Sequence, residues 1–324
     1  MKSFIMLTMI FFTKALYASN CGDLRWKNIA LEKSLSEIAF TSENGSVVIW
    51  DVASGSARKL PTPKISIKEL FYVNDSKLIA VGIKEGRGPY FYVWNLKNGT
   101  GHSLDNTIFR DMAGDIISNL SQNNRYVVSS GQLFYGGWGY HVLDLQTGQT
   151  VLSLKGKKGQ AQISHNLDQL YIASQKGDHQ SAYMEIYDIP KKEVVYEDYL
   201  SSTYSRDDRM SWSGTKIVFS GYNALFFDTK TRNVENLFAR GSLKSYSKDL
   251  SIMAHSSSFY GKSYTIRSKN PLYVRDLRPN EKTITSKLSQ DGKRMLAVTD
   301  SNKAIIFDVN NESYDVISEC FLTL

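Results

Sequence analysis

Only two cysteines, Cys21 and Cys320, occur in the 324 residues, so no cysteine cluster is present to build a zinc site. The five histidines, His102, His141, His165, His179 and His255, include no pair at metal-ligand spacing. There is no Gly-x-Ser-x-Gly elbow and no phosphate loop of the Gly-Lys-Ser/Thr type. Asp300-Ser301-Asn302 and Asp308–Glu312 lack the oxygen-ligand spacing and middle glycine of a calcium loop, and turn chemistry explains them. The linear sequence therefore points to no catalytic residue, no metal site and no cofactor. The one apolar run near the N-terminus is far short of the ~20 residues of a membrane span, so no transmembrane segment is expected. No long block of one charge sign exists either. The formal net charge is +7, with basic residues scattered along the chain and one short cluster at Lys155-Gly156-Lys157-Lys158. A positive balance favours anionic partners such as membrane surfaces or nucleic acid. Lysines scattered on strands serve instead to block sheet-to-sheet pairing, and no nucleic-acid partner is expected.

What is present is a repeat. Leu288–Ser313, LSQDGKRMLAVTDSNKAIIFDVNNES, reads as turn, apolar strand, polar loop, apolar strand and turn. The same order recurs seven times. Aligned on the residue that closes the second of these strands, the copies end at Asp51, Asn95, Asp144, Asp188, Asp228, Ser268 and Asp308, with spacings of 44, 49, 44, 40, 40 and 40. Periods of this size mark repeat architectures. The runs before the markers, such as SVVIW, YFYVW and AIIF, are short, β-branched and aromatic, and several are apolar on both faces. A turn also precedes each first strand, as in NDSK, SQNNR and SQDGK, although the first copy lacks a clear turn residue. Each repeat holds about four short strands and buries neither face alone. Radial stacking solves that problem, so the expected fold is all-β: a seven-bladed β-propeller of four-stranded antiparallel blades. The repeated Asp is expected to bond backbone N–H groups of the turn that follows it.

GSVVIWDVASG and FYVWNLKNG resemble the Trp-Asp end of WD-repeat blades, and SQDGKRMLAVTDSNKAIIFDV resembles YVTN-like and Tol-type propellers of bacterial envelopes. The departures are that no Gly-His pair recurs and that the Trp is kept only at Trp50 and Trp94. The resemblance implies that the loops joining second to third strands share one face with the loops joining blades, and that this face and the central channel bind ligands. Those second-to-third loops read as short in copies one, five and seven. They read as longer at Ile83–Pro89, Ser129–Gly139, Gln175–Ser181 and Ser256–Lys262. The third copy stands out, with Phe134, Tyr135 and Trp138 among four glycines, and Phe259 and Tyr260 are its counterpart in the sixth. These five aromatics are the candidate binding residues. They either present contact area to a partner or fold back over a blade. The charged stretch Tyr204–Arg209 is a salt-bridged turn or a polar rim.

The chain opens with basic Lys2, an apolar Phe4–Phe12 and small residues at Ala15–Ser19, the layout of a secretory signal. Residues 1–19 are expected to be that signal and 20–324 a single propeller domain, exported to the periplasm or secreted and monomeric. In a closed ring the two ends meet, so Cys21 and Cys320 are expected to form a disulfide in an oxidising compartment. The competing expectation is a lipoprotein anchored at Cys21. Two functions follow. The first is a non-enzymatic exported scaffold that binds a protein or peptide on its loop face. The second is a hydrolase- or lactonase-like propeller enzyme with a metal-dependent site at the central channel.

Overall fold

The structure, a computed structural model, describes residues 27–318 apart from 33, 43, 55, 86, 105–111, 157, 176–181, 202–208, 221–223, 238–241, 247–249, 251, 257–262, 268–269, 274–282, 290, 300–303 and 310–312. Among the described residues every regular element is a β-strand, and none is a helix long and apolar enough to cross a membrane. The first meander is β1 (Lys27–Leu31), β2 (Glu37–Thr41), β3 (Val47–Asp51) and β4 (Ala57–Lys59). The second is β5 (Ser66–Asn74), β6 (Lys77–Lys84), β7 (Arg87–Asn95) and β8 (Thr100–Leu104). The third is β9 (Met112–Leu120), β10 (Tyr126–Leu133), β11 (Trp138–Asp144) and β12 (Thr150–Gly156). The fourth is β13 (Gly159–Ile163), β14 (Gln169–Gln175), β15 (Ala182–Asp188) and β16 (Glu193–Ser201). The fifth is β17 (Arg209–Ser213), β18 (Lys216–Ser220), β19 (Ala224–Asp228) and β20 (Val234–Leu237). The sixth is β21 (Ser242–Tyr246), β22 (Ile252–Ser256), β23 (Ser263–Arg267) and β24 (Asn270–Tyr273). The last is β25 (Thr283–Leu288), β26 (Arg294–Thr299), β27 (Ala304–Asp308) and β28 (Ser313–Ser318). These runs of four antiparallel strands agree with the seven repeats of the sequence.

Five meanders are separate sheets, but the second and third are joined. The start of β7 pairs with the start of β9 at Arg87↔Ala113 and Gly88↔Met112, giving one eight-stranded sheet. The cause lies in the hairpin. Most of Ile83–Pro89, which reads as a loop in the sequence, extends β6 and β7 instead, and the extended β7 finds the next inner strand. In the same way Ser129–Leu133 and Trp138–Gly139 belong to β10 and β11, so the long loop of the third repeat shrinks to the turn 134–137.

Most of the described core lies between meanders. Ala39, Val47 and Ile49 of the first pack with Leu70, Leu78, Ala80 and Trp94 of the second. Ile79, Val81, Phe91 and Val93 of the second meet Val127, Leu143 and Leu145 of the third. Similar clusters join the third to the fourth and the fourth to the fifth. Ile38, Phe40, Val48 and Trp50 of the first meander pack with Leu296 and Ile306 of the last, which closes the circle. Second and third strands are therefore buried on both faces, as their continuous apolar runs predict.

The turn after the inner strand is one structure repeated. Glu32, Ser121, Ser164 and Ser289 each donate a backbone N–H to the carbonyl five residues on, at 2.9–3.1 Å. The residue three on is left-handed in every case: Leu35 (φ 60°), Asn124 (56°), Leu167 (62°) and Gly292 (69°). The serine hydroxyls accept the N–H of Tyr126, Gln169 and Arg294 at 2.9–3.0 Å. The first copy, which shows no turn residue in its sequence, makes the same turn. Its Glu32 carboxylate takes the serine's place and accepts the Ser34 N–H at 2.8 Å and the Ser36 hydroxyl at 3.0 Å. A left-handed Leu costs about 1–2 kcal/mol. Leu35 is buried, which contributes about 1.5–3 kcal/mol and offsets the strain.

At the other turn the repeat's Asp does what its spacing predicts. Asp51 accepts the Ser54 N–H at 2.7 Å and Asn95 that of Lys97 at 3.0 Å. Asp144 accepts that of Gln146 at 2.8 Å, and Asp188 and Asp228 those of Lys191 and Lys230 at 2.9 Å. The Ser54 bond holds the carboxyl of Asp51 below the usual carboxylate range, and the Thr231 N–H at 3.0 Å, with that of Lys230, does the same for Asp228.

Candidate functional site: the third hairpin and the channel mouth

The hairpin of β10 and β11 pairs in register from Tyr126↔Asp144 to Gln132↔Trp138. Beyond that point Leu133 N–H bonds the Gly137 carbonyl and Gly136 N–H bonds the Leu133 carbonyl, both at 3.1 Å. Gly136 and Gly137 have φ of 90° and 88°, a conformation that side chains strongly disfavour. The turn thus leaves Phe134 and Tyr135 at its tip. Phe134 is 52% exposed and Tyr135 94% exposed, and their rings meet edge to face at 5.8 Å. Trp138, grouped with them by the sequence, is placed differently. It is buried among Tyr126, Val128, Tyr140 and Ile163, and its indole N–H donates to the Gly159 carbonyl at 2.9 Å. Trp138 anchors the hairpin to the fourth meander while Phe134 and Tyr135 project from it. Phe259 and Tyr260 lie outside the described residues, as do Cys21, Cys320, His179 and residues 1–19, where a signal is expected.

At the opposite end of the strands lies the mouth of the central channel. Residues of the inner strands reach from one meander to the next. Asn28 Nδ2 donates to the Ile67 carbonyl at 2.9 Å, and the Ser118 N–H to Glu69 Oε2 at 3.0 Å. Asn119 Nδ2 donates to the Ala161 carbonyl at 3.0 Å, and Gln162 Nε2 to the Met210 carbonyl at 2.9 Å. Lys287 Nζ reaches the Ile29 carbonyl at 3.4 Å and ties the last inner strand to the first. A cavity of about 160 Å³ opens there, lined among others by Glu32, Tyr72, Asn74, Asp75, Asn124 and Lys287. Burial raises the Glu32 carboxyl, but the bonds from Ser34 and Ser36 outweigh it and leave the group below its usual range. Burial, with Glu37 nearby, pushes the Tyr72 phenol well up. The cavity thus holds carboxylates, an ammonium and a neutral phenol.

Among the described residues no three His, Cys, Asp or Glu are grouped so as to hold a metal ion. His141 is buried and its Nδ1 lies 2.8 Å from the Ser153 hydroxyl, a structural contact between β11 and β12. Sequence reasoning missed the amides Asn28, Asn119 and Gln162, which join neighbouring meanders. Their one signal is a polar amide inside a short strand, as in GQAQI.

Meanders of four antiparallel strands, closed in a circle by an apolar seam, define a β-propeller. No family model matches the chain, and no curated protein matches it in sequence. Solved structures do. The β-propeller domain of Myceliophteria thermophila Cps50 (Swd1) has a TM-score of 0.64 at 16% identity, over 89% of this chain and 98% of that one. A chain of a Mitotic Checkpoint Complex has a TM-score of 0.62 at 14% identity, over 87% and 86%. Kuenenia stuttgartiensis hydrazine synthase has a TM-score of 0.61 at 11% identity, over 92% and 97%. At such identities the likeness is one of fold alone, and the fold of this chain is a β-propeller.

Proposed function

We propose that the chain is an exported, non-enzymatic β-propeller scaffold that binds a protein or peptide partner on its loop face. The observation that carries this reading is the aromatic pair Phe134 and Tyr135, held exposed on a glycine turn by a hairpin whose base is buried. A rigid base with an exposed aromatic tip is a form that interface hot spots take. A structural neighbour that is part of a complex supports the scaffold role. Export rests on the N-terminal layout of Lys2, Phe4–Phe12 and Ala15–Ser19 and implies a periplasmic or secreted, monomeric propeller from residue 20 onward.

The test is affinity capture from the native envelope or secreted fraction, with wild type beside Phe134→Ala/Tyr135→Ala. A partner retained by wild type and lost by a variant of unchanged melting temperature is the expected result. A partner retained equally by both places the contact elsewhere, and no partner in either overturns the scaffold reading. Trp138 is left intact, because its substitution would disturb the fold.

A further inference from the structure

Basic residues flank the aromatic tip on both sides of one continuous sheet. On one side Gly139 pairs with Lys155 and Trp138 with Gly156, and Lys158 stands two residues further on. On the other side the row runs from Gln132 to Ala113, to Arg87 and to Lys84. At about 4.8 Å per strand, β12 lies roughly 10 Å from β10 and β6 roughly 14 Å away on the far side. Lys84, Lys155 and Lys158 are exposed, and none of them makes an ion pair with a described residue. Among the described residues the acids near the row are Glu85, beside Lys84, and Asp115, whose backbone lies in the bulge of β9. Among the described residues of this row the basic ones, Lys84, Arg87, Lys155 and Lys158, outnumber the acids, and the whole chain carries +7.

The shape decides what such a surface fits. The tip projects: the turn carries Phe134 52% and Tyr135 94% exposed. Two aromatic rings that enter together need a surface that yields around them, and a bilayer interface does. Aromatic rings settle at the level of the lipid headgroups, and lysines around them gain from anionic lipid. Stable docking takes two such signals together, an apolar insertion and a basic patch.

We infer that the β10–β11 hairpin docks the propeller on the surface of an anionic phospholipid bilayer. Phe134 and Tyr135 enter the headgroup layer, and Lys84, Lys155 and Lys158 meet the lipid phosphates. This role is additional to the protein-partner reading and does not depend on it.

The experiment is co-sedimentation of the full chain with vesicles of phosphatidylcholine alone and of phosphatidylcholine mixed with phosphatidylglycerol. Wild type sediments with the mixed vesicles only, and added salt releases it. Lys155→Gln and Lys158→Gln each weaken binding roughly fivefold. Phe134→Ser/Tyr135→Ser abolishes it without changing the melting temperature, since both side chains lie outside the core. Failure to bind the mixed vesicles, equal binding to both vesicle types, or binding untouched by either set of variants overturns the inference. A chain that ignores vesicles yet captures its protein partner through Phe134 and Tyr135 overturns it too and leaves the protein-partner reading standing.

Discussion

Asp144 is a marker aspartate with partners on both carboxylate oxygens. Its Oδ1 accepts the Gln146 N–H, and its Oδ2 takes Arg125 Nε at 3.1 Å and Nη2 at 2.7 Å. Burial alone would raise its carboxyl, but the Arg125 bond and charge and the Gln146 N–H outweigh it, so the group stays below the ordinary aspartate range. Asp51, Asp228 and Asp291 are lowered as well, chiefly by hydrogen bonds from their own turns. A carboxyl lowered on folding contributes stability above its unfolded value and loses it as pH falls through the folded one. Denaturant melts should therefore show stability falling steeply below about pH 4. Asp144→Asn should lose about 1–3 kcal/mol at neutral pH and show a shallower acid loss than wild type. A variant as stable as wild type at neutral pH would mean that the Arg125 pair adds nothing. The aspartate was legible in the sequence because its spacing recurs. Arg125 was not, because it belongs to the preceding turn and only the antiparallel register of β10 and β11, with Tyr126↔Asp144, brings it there.

A hairpin has a base and a tip, and their energetics differ. At the base of β10 and β11, Trp138 fills space between two meanders and spends its indole N–H on the Gly159 carbonyl. Trp138→Ala should cost about 3–5 kcal/mol. At the tip, Phe134→Ser/Tyr135→Ser should stay within about 0.5 kcal/mol of wild type in the same urea titration. Equal losses would contradict this division. Sequence reading placed all three aromatics on one loop because glycines at 131, 136, 137 and 139 look alike in a string. Their geometry separates them: Gly136 and Gly137 turn the chain at positive φ. Gly139 sits inside β11, where a Cβ would come within 2.5 Å of Leu133 Cδ2. The existence of the strands was legible from alternation and β-branching; their lengths were not, because a hairpin extension and a loop carry the same small and polar residues. The first repeat hid its turn for the same reason, since buried Leu35 does the work of a glycine.

The molecule as a whole is a circle with most of its described core in the gaps between sheets. The repeat made that architecture legible, because seven similar copies that bury neither face alone have few other ways to pack. The candidate site was less legible, since a tip of four residues in one copy has no periodic signature. Closure has a testable consequence. Leu296 of the last meander is buried against Ile38, Phe40, Val48 and Trp50 of the first. Leu296→Ala should leave a cavity at the seam and cost about 2–5 kcal/mol. In an open array of repeats, a terminal defect melts the end repeats first and splits the transition. In a closed circle both sides of the seam are also held by their other neighbours, so the loss spreads over the whole ring. Unfolding of Leu296→Ala followed by tryptophan fluorescence, to which Trp50 in the seam contributes, and by far-ultraviolet circular dichroism should give one coincident transition at lower denaturant. An early fluorescence phase that precedes the loss of strand signal would show that the first and last meanders part before the rest, and that the seam is a weak joint rather than a shared core.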